Sequence, residues 1–386
     1  MRVLHTSDWH IGKRIGRHDR SEEYRDVLAE IAEIAEAEDV DLVLHSGDLF
    51  DRPLPPIEAM DLAFAGLVEL TAGGRRPVVV IAGNHDSPGL FEALAPFLRG
   101  HGIHLVGEIR RPDEGGVLDL ATEAGRAVVS CFPFLREGRA IDVWAPIAEH
   151  YTRYADRLRA ISEAYATYAE RLAGDDAVTF LVAHFLVGGA KVHGHGAPRG
   201  ERELHMGEAY AATPEAIPPG PQYVAMGHIH APQPVPGAQV PAEYAGSILE
   251  LDFGEAGERK RVVLVDVEPG RPATIRSMPL ERGRRLRRVR GTWDELAAMD
   301  LDEAYLDLTV VTSGPDPGLA DRARERFPHL VKVRADHPRE TSPTVSREGR
   351  DLVELYGEFV GRSGGEADPE LLDAFRRLME EVDATP

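Results

Sequence analysis

In five stretches of this 386-residue chain, an apolar segment runs straight into Asp, Asn or His. RVLHTSDWH delivers Asp8 and His10, DLVLHSGD delivers Asp48, and PVVVIAGNHDS delivers Asn84, His85 and Asp86. VTFLVAH ends in His184, and QYVAMGHIH brings His228 and His230. Such side chains beside a buried strand cost free energy unless something pairs them. Singly, each has a structural explanation: Asp8 or Asp48 as a turn residue, the Asn84–Asp86 stretch as a helix cap, His184 as a satisfied core imidazole. Five at once are better explained by one shared site. Carboxylates, an amide and imidazoles without cysteine suit a borderline or hard divalent ion such as Mn²⁺, Fe²⁺, Zn²⁺ or Mg²⁺. The donors exceed the needs of one ion, so two ions are expected, bridged by the carboxylate of Asp48 from a central-looking strand. Paired ions activate water and steady both oxygens of an in-line displacement at phosphorus. The chemistry this donor set serves is phosphoester hydrolysis.

To bring these residues together, the strands must share an edge, because ligands of open α/β sheets sit outside the strands' carboxyl ends. The pattern over residues 1–272 allows this: apolar strands alternate with amphipathic helices near 22–37, 57–70, 89–98 and 153–172. Such alternation predicts an α/β layered domain, with helices flanking mixed sheets. In extended chain, side chains two apart share a face, so Asp8 with His10, and His228 with His230, are expected to face one site. His45 is expected beside that site and His5 within the core. His193 and His195, in the glycine-rich KVHGHGAPRG, read as a surface loop.

A compositional change near residue 273 predicts a small α+β domain over 273–338, followed by a helical region over 339–386 interrupted by GRSGGEAD. The segment ERGRRLRRVRG holds six arginines in a chain of net charge −21. Clustering Arg284, Arg285, Arg287 and Arg288 creates a local phosphate-attracting face. Near the C-terminus, Asp368 is the expected N-cap and Pro369 the first helical residue. Leu371, Leu372, Phe375, Leu378, Met379 and Val382 form one apolar stripe, and Leu352, Leu355, Tyr356 and Phe359 repeat the theme upstream. Such stripes are expected to dock on a partner. IEAMDLAFAGLVEL and GLFEALAPFL are apolar on more than one face, which predicts a homodimer. The single cysteine, Cys131, lies in the apolar AVVSCFPF as a core thiol and forms no internal disulfide, fitting a reducing cytoplasm. No apolar run approaches the roughly 18 residues of a membrane helix, and no phosphate-binding G-x-x-x-x-G-K-[ST] loop is present.

The string DWH…GDLFD…GNHDS…H…GHIH resembles the signature of the calcineurin-like metallophosphoesterases: D-x-H, G-D, G-N-H-D/E, H and G-H-x-H. HTSDWHIG, VAHFLVGGA, the arginine-rich small domain and the helical tail make the chain similar to the nuclease subunits of DNA-break-repair complexes within that family. The likeness spans essentially the whole chain and is most specific over residues 1–250. It implies a layered sandwich of helices flanking two mixed sheets, a small α+β capping domain that touches DNA, and C-terminal helices. It also implies two Mn²⁺ ions, with Mg²⁺ or another divalent metal as the alternative. Asp8, His10, Asp48 and His230 would hold one, and Asp48, Asn84, His184 and His228 the other. His85 would stand by the scissile phosphate as acid or transition-state stabiliser, and Asp86 would orient it, as a carboxylate fixes an imidazole tautomer. Asp51 stands where several relatives carry a second active-site histidine. The implied partners are a coiled-coil ATPase on the tail, double-stranded and hairpin DNA, and a second copy of the chain. The implied setting is the cytoplasm, with association to the nucleoid when on DNA. Two rival readings use the same residues: a small-molecule metallophosphodiesterase and an inactive DNA-tethering scaffold. Residues 273–386 argue against the first and the complete ligand set against the second.

Overall fold

The apolar runs become strands because aliphatic and β-branched side chains fit a pleated surface that is buried on both faces. The computed structural model describes residues 1–136, 147–192, 211–337, 355–356 and 368–383. One sheet contains β1 (Arg2–Thr6), β2 (Leu42–His45), β3 (Val78–Ile81), β4 (Ile103–Val106), β11 (Arg261–Asp266) and β12 (Thr274–Pro279). A second contains β5 (Val117–Thr122), β6 (Gly125–Phe132), β7 (Ala177–His184), β8 (Tyr223–Gly227), β9 (Gln233–Pro234) and β10 (Ala242–Tyr244). Their orders are β12-β11-β1-β2-β3-β4 and β5-β6-β7-β8-β10-β9. β1 to β4 are mutually parallel, as are β6, β7, β8 and β10, while β11, β12, β5 and β9 pair antiparallel. Both sheets are therefore mixed.

Alternation along each strand divides the core. Leu4, Val43, Val78 and Val80 pack with residues of α1 (Ser21–Ala37), α2 (Ile57–Leu70) and α3 (Pro88–Leu98), such as Ile31, Leu67 and Phe91. Their neighbours Val3, Leu42, Leu44, Val79 and Ile81 pack with Val129, Phe180, Val182 and Tyr223 of the second sheet. The other face of that sheet, with Val128, Leu181 and Val224, is covered by Leu158 and Tyr165 of α4 (Ile147–Ala173). The layers run helix, sheet, sheet, helix, and each large buried side chain contributes ~1.5–3 kcal/mol. Cys131 lies in the inter-sheet core, and burial pushes its thiol pKa up to about 12, as a core thiol requires.

The compositional boundary near residue 272 needs correction as a structural border. β12 belongs to the first sheet through its pairing with β11, and the architecture changes between Pro279 and Arg285. From there β13 (Arg285–Thr292), α5 (Trp293–Ala298), β14 (Ala304–Val311), α6 (Leu319–Arg326) and β15 (Leu330–Asp336) form a parallel three-stranded sheet with its own core, including Leu296, Leu308 and Phe327. Thr292 and Glu295 form a capping box at the start of α5. This sheet and the sandwich make one compact unit, Met1–Asp336. Tyr305 donates to Glu23 at 2.6 Å, and Ile15, Phe253, Leu286 and Tyr305 pack together. Arg284 and Arg285 approach Glu303 and Glu250 at 3.9 Å, and Arg288 approaches Asp307 at 3.6 Å. Arg287 is exposed and has no ion pair among the described residues.

The second unit is His337–Pro386. In it, α7 (Pro369–Asp383) begins as expected, with Asp368 accepting from the Glu370 N–H at 3.0 Å. Tyr356 stacks on Phe375 at 4.5 Å, Leu372 and Phe375 are half-buried, and Leu371 is exposed. Leu378, Met379 and Val382 continue along α7. Leu352, Phe359, His193 and His195 lie outside the described residues. Ile57, Val68 and Phe97, on α2 and α3, are exposed apolar residues. Among the described residues, no helix is long and apolar enough to cross a membrane.

Candidate metal centre

The loops after β1 and β2 continue as a pair beyond the sheet. Asp8 N–H donates to Gly47 O, His10 N–H to Asp48 O and Ile11 N–H to Leu49 O, each at 3.0 Å. Extended chain does not aim these residues, which corrects the two-residue argument. Asp8, His10, Asp48 and His228 have φ of 49°, 47°, 56° and 87°. Left-handed backbone costs a non-glycine residue of order 1–3 kcal/mol and persists where the surroundings over-determine it. The paired loops do so for Asp8, His10 and Asp48, and the Asp8 carboxylate accepts the His228 N–H at 3.1 Å. Gly83 and Gly227 permit close approach: a Cβ on Gly83 would overlap the Asp48 carboxylate, and one on Gly227 would overlap Ser46 O.

The parallel strands bring Asp8, His10, Asp48, Asn84, His184, His228 and His230 together. Asp48 Oδ2 lies 3.4 Å from Nε2 of both His10 and His184. On one side, His10 Nε2 and His230 Nε2 approach to 3.1 Å, with Asp8 Oδ1 4.0 Å from His230. On the other, Asn84 Oδ1 lies 3.0 Å from His184 Nε2 and 2.9 Å from His228 Nδ1. Ligand atoms of Asp8, His10 and His230, and separately of Asp8, Asp48 and His184, fall within 4.8 Å of one another. Imidazole nitrogens and carboxylate oxygens converging from five strand ends fit divalent cations. His184 Nδ1 is engaged by Ser46 O at 2.7 Å and His230 Nδ1 by Glu255 at 2.8 Å, which leaves each Nε2 for a ligand.

Electrostatics follow from this crowding. Burial penalises both charges of the Asp48–His184 pair, yet their attraction outweighs it. The Asp48 carboxyl is held well below its ordinary range, and the His184 imidazole pKa is pushed up to about 9. His228 is drawn down to about 3, by burial first and then by the charge of His184. Asp86 is pushed up to about 7, by burial first and then by Asp48.

One expectation changes. Asp86 does not orient the His85 ring, since its carboxylate accepts from the backbone N–H groups of Gly83, Leu49 and Phe50 at 2.9, 3.1 and 2.9 Å. It clamps the GNHD turn onto the Asp48 loop. His85 is held instead by its N–H on Asp48 Oδ1 and by Nδ1 on the carbonyl of Asp51, both at 2.8 Å. The Asp51 carboxylate lies 3.0 Å from Lys13 Nζ and 3.8 Å from His10 Nδ1, beyond hydrogen-bond reach of the latter. His45 braces the turn by accepting the Gly47 N–H at 3.3 Å. His5 is buried between Tyr223 and Ser46, with a 2.8 Å contact to each hydroxyl. Glu255, Lys260 and Ser46 do not stand out in the sequence. The hint available was a set of carboxylates inside the apolar stretch SILELDFGE.

Fold and site together define a calcineurin-like phosphoesterase. The chain belongs to that family, whose profile, "Calcineurin-like phosphoesterase", matches residues 1–232. A second profile, "Type 5 capsule protein repressor C-terminal domain", matches residues 282–358. Within the family the chain falls among the SbcD nucleases. It is 31% identical to the SbcD component of nuclease SbcCD from Bacillus subtilis (strain 168) over 413 residues, covering 100% of each chain. The SbcD of Rhodobacter capsulatus is 34% identical over 351 residues, 88% of this chain and 81% of its own. That of Escherichia coli (strain K12) is 30% identical over 391 residues, 93% and 91% respectively. The chain is thus a metal-dependent hydrolase of the SbcD nuclease family.

Proposed function

We propose that this chain is the nuclease subunit of an SbcCD-type complex. It hydrolyses DNA phosphodiester bonds with Mn²⁺, as a double-strand exonuclease and a single-strand and hairpin endonuclease, in DNA repair, recombination and replication. The observation that carries this reading is the convergence of seven donor residues, with Asp48 between His10 and His184 and His85 anchored beside them. Asp8, His10, Asp48 and His230 would hold one ion, and Asp48, Asn84, His184 and His228 the other. Ions bound there would supply an activated water and neutralise charge on the phosphate oxygens. The ring bonds of His184 and His230 fix which nitrogen each presents. His85, tied through Nδ1 to the Asp51 carbonyl, uses Nε2, which in the protonated ring donates to the leaving oxygen.

The remaining features extend the reading. Arg287, with Arg284, Arg285 and Arg288 around it, attracts DNA phosphates on the small sheet, which acts as a cap. The apolar stripe of α7, with the segment around Leu355 and Tyr356, docks an SbcC-like coiled-coil ATPase that supplies nucleotide binding. Exposed Ile57, Val68 and Phe97 support a homodimer through α2 and α3. The setting is cytoplasmic, at the nucleoid when on DNA. Cleavage of hairpin DNA and of a p-nitrophenyl phosphodiester, each with Mn²⁺ and with EDTA, tests the reading. Metal-dependent hairpin cleavage is expected. Hydrolysis of the small diester alone would favour the phosphodiesterase reading, and no cleavage of either the tethering scaffold.

A further inference from the structure

His230 is gripped at two points by one buried ion pair. Its Nδ1 lies 2.8 Å from Glu255 Oε1, and its backbone carbonyl accepts from Lys260 Nζ at 3.1 Å. Lys260 also donates to Glu255 Oε2 and Glu258 Oε2, each at 2.7 Å. Glu255 Oε2 further accepts the Leu251 N–H at 3.0 Å and the Ser247 hydroxyl at 3.2 Å. The Glu255 and Lys260 side chains are each 3% exposed. Taking two charges out of water is costly, and apolar side chains in their place are often as stabilising or better. A pair of this kind, closed around a residue of the metal centre, has its reason in that residue.

The reason is the imidazole's tautomer. With its Nδ1–H given to Glu255, His230 carries its lone pair on Nε2, which faces His10 Nε2 at 3.1 Å and Asp8 Oδ1 at 4.0 Å. The other half of the centre is supported differently, because His184 Nδ1 rests on the neutral carbonyl of Ser46. His10 Nδ1 has no hydrogen-bond partner among the described residues. A carboxylate partner orients a ligating imidazole and raises its basicity, through a stronger, charge-assisted bond than a carbonyl makes. We infer that Glu255, held by Lys260, is a positioning carboxylate that fixes the tautomer and orientation of His230, so that metal affinity in the Asp8–His10–His230 half depends on it. The Asn84–His184–His228 half does not. The inference rests on the two-metal reading above.

The test uses the full chain and Mn²⁺ alone, with calorimetric titration, metal analysis after gel filtration, and ¹H–¹⁵N spectra of the histidine rings without metal. The parent chain should bind two ions. Glu255→Gln with Glu258→Gln and Lys260→Met removes the charges of this cluster together. It should weaken one ion ~10–100-fold, the usual loss for an outer partner of a ligand, and leave the other unchanged. The His230 ring should lose its single Nδ1–H tautomer, while metal-free thermal unfolding reports whether the fold is kept. Glu255→Gln alone, which keeps an acceptor without charge, is the second variant and should weaken the same ion. Glu255→Asp should restore both tautomer and affinity. Two ions bound by the variants with parental affinity, or equal loss of both, would overturn the role of Glu255. A parent chain that binds fewer than two ions would overturn the two-metal reading itself, and the inference with it.

Discussion

Gly227 closes β8 one residue before His228, and its replacement by alanine measures how tightly the two sheets are locked at the metal centre. An added methyl would overlap Ser46 O and Ser7 Oγ and lie 2.7 Å from His184 Nδ1. Non-bonded contacts settle near 3.5 Å, so the imidazole alone must retreat by roughly 0.8 Å, and the Ser46 carbonyl by more. Neither yields freely: Ser46 O engages His184 Nδ1 at 2.7 Å, and Ser46 N–H donates to Thr6 O at 3.1 Å. Overpacking a rigid core costs ~1–3 kcal/mol, and losing the Ser46–His184 bond adds about 1 kcal/mol. Gly227→Ala should therefore lower stability by roughly 2–4 kcal/mol, read as a lower urea midpoint at unchanged slope in EDTA. A misplacement near 1 Å at a reacting centre costs ~10²-fold in rate, so turnover of a p-nitrophenyl phosphodiester should fall at least that far, with weaker Mn²⁺ binding. Gly314→Ala, where a methyl meets nothing within 4 Å, is the silent control. Parental turnover in Gly227→Ala, with stability within ~0.5 kcal/mol of the parent, the usual scatter of surface substitutions, would refute the reasoning.

Asp48→Ala removes the carboxylate shared by His10 and His184 and should abolish turnover and tight Mn²⁺ binding at both positions. Two tightly bound ions in that variant, by metal analysis, would remove Asp48 from its bridging role. His85→Gln keeps the backbone bond to Asp48 and should retain both ions, while turnover falls ~10²–10⁴-fold, the range for a positioned acid or base. Metal loss in that variant would mean that His85 is a ligand. Leu371→Asp, at an exposed position on α7, should weaken binding of the coiled-coil ATPase about 10–100-fold, or ~1.5–3 kcal/mol for one large apolar side chain. Cleavage by the isolated nuclease chain should stay unchanged, and undiminished binding in a pull-down titration would place the docking surface elsewhere.

Most of the framework could be read from the sequence because strands and helices are specified by local burial. The runs Val78–Ile81 and Tyr223–Gly227 are apolar on both faces, as a doubly covered strand must be, and α1 carries a one-sided stripe. The donors are legible for the same reason: Asp8, His10, Asp48, Asn84, His184, His228 and His230 each follow an apolar run within a few residues. Tertiary structure decided what depends on partners distant in the chain. The roles of Asp86, bonded to Leu49 and Phe50 more than 35 positions away, and of Glu255, 25 positions from His230, are invisible to periodicity. So is the approach of Glu250 to Arg285 and of Asp307 to Arg288. β12 looked like part of the arginine-rich domain because composition reports solvent exposure, whereas sheet membership depends on which edge is free, here that of β11. The left-handed backbone of Asp8, His10, Asp48 and His228 is likewise imposed from outside. Local preference disfavours it; the paired loops of two strands hold Asp8, His10 and Asp48 in place, and the Asp8 carboxylate holds His228.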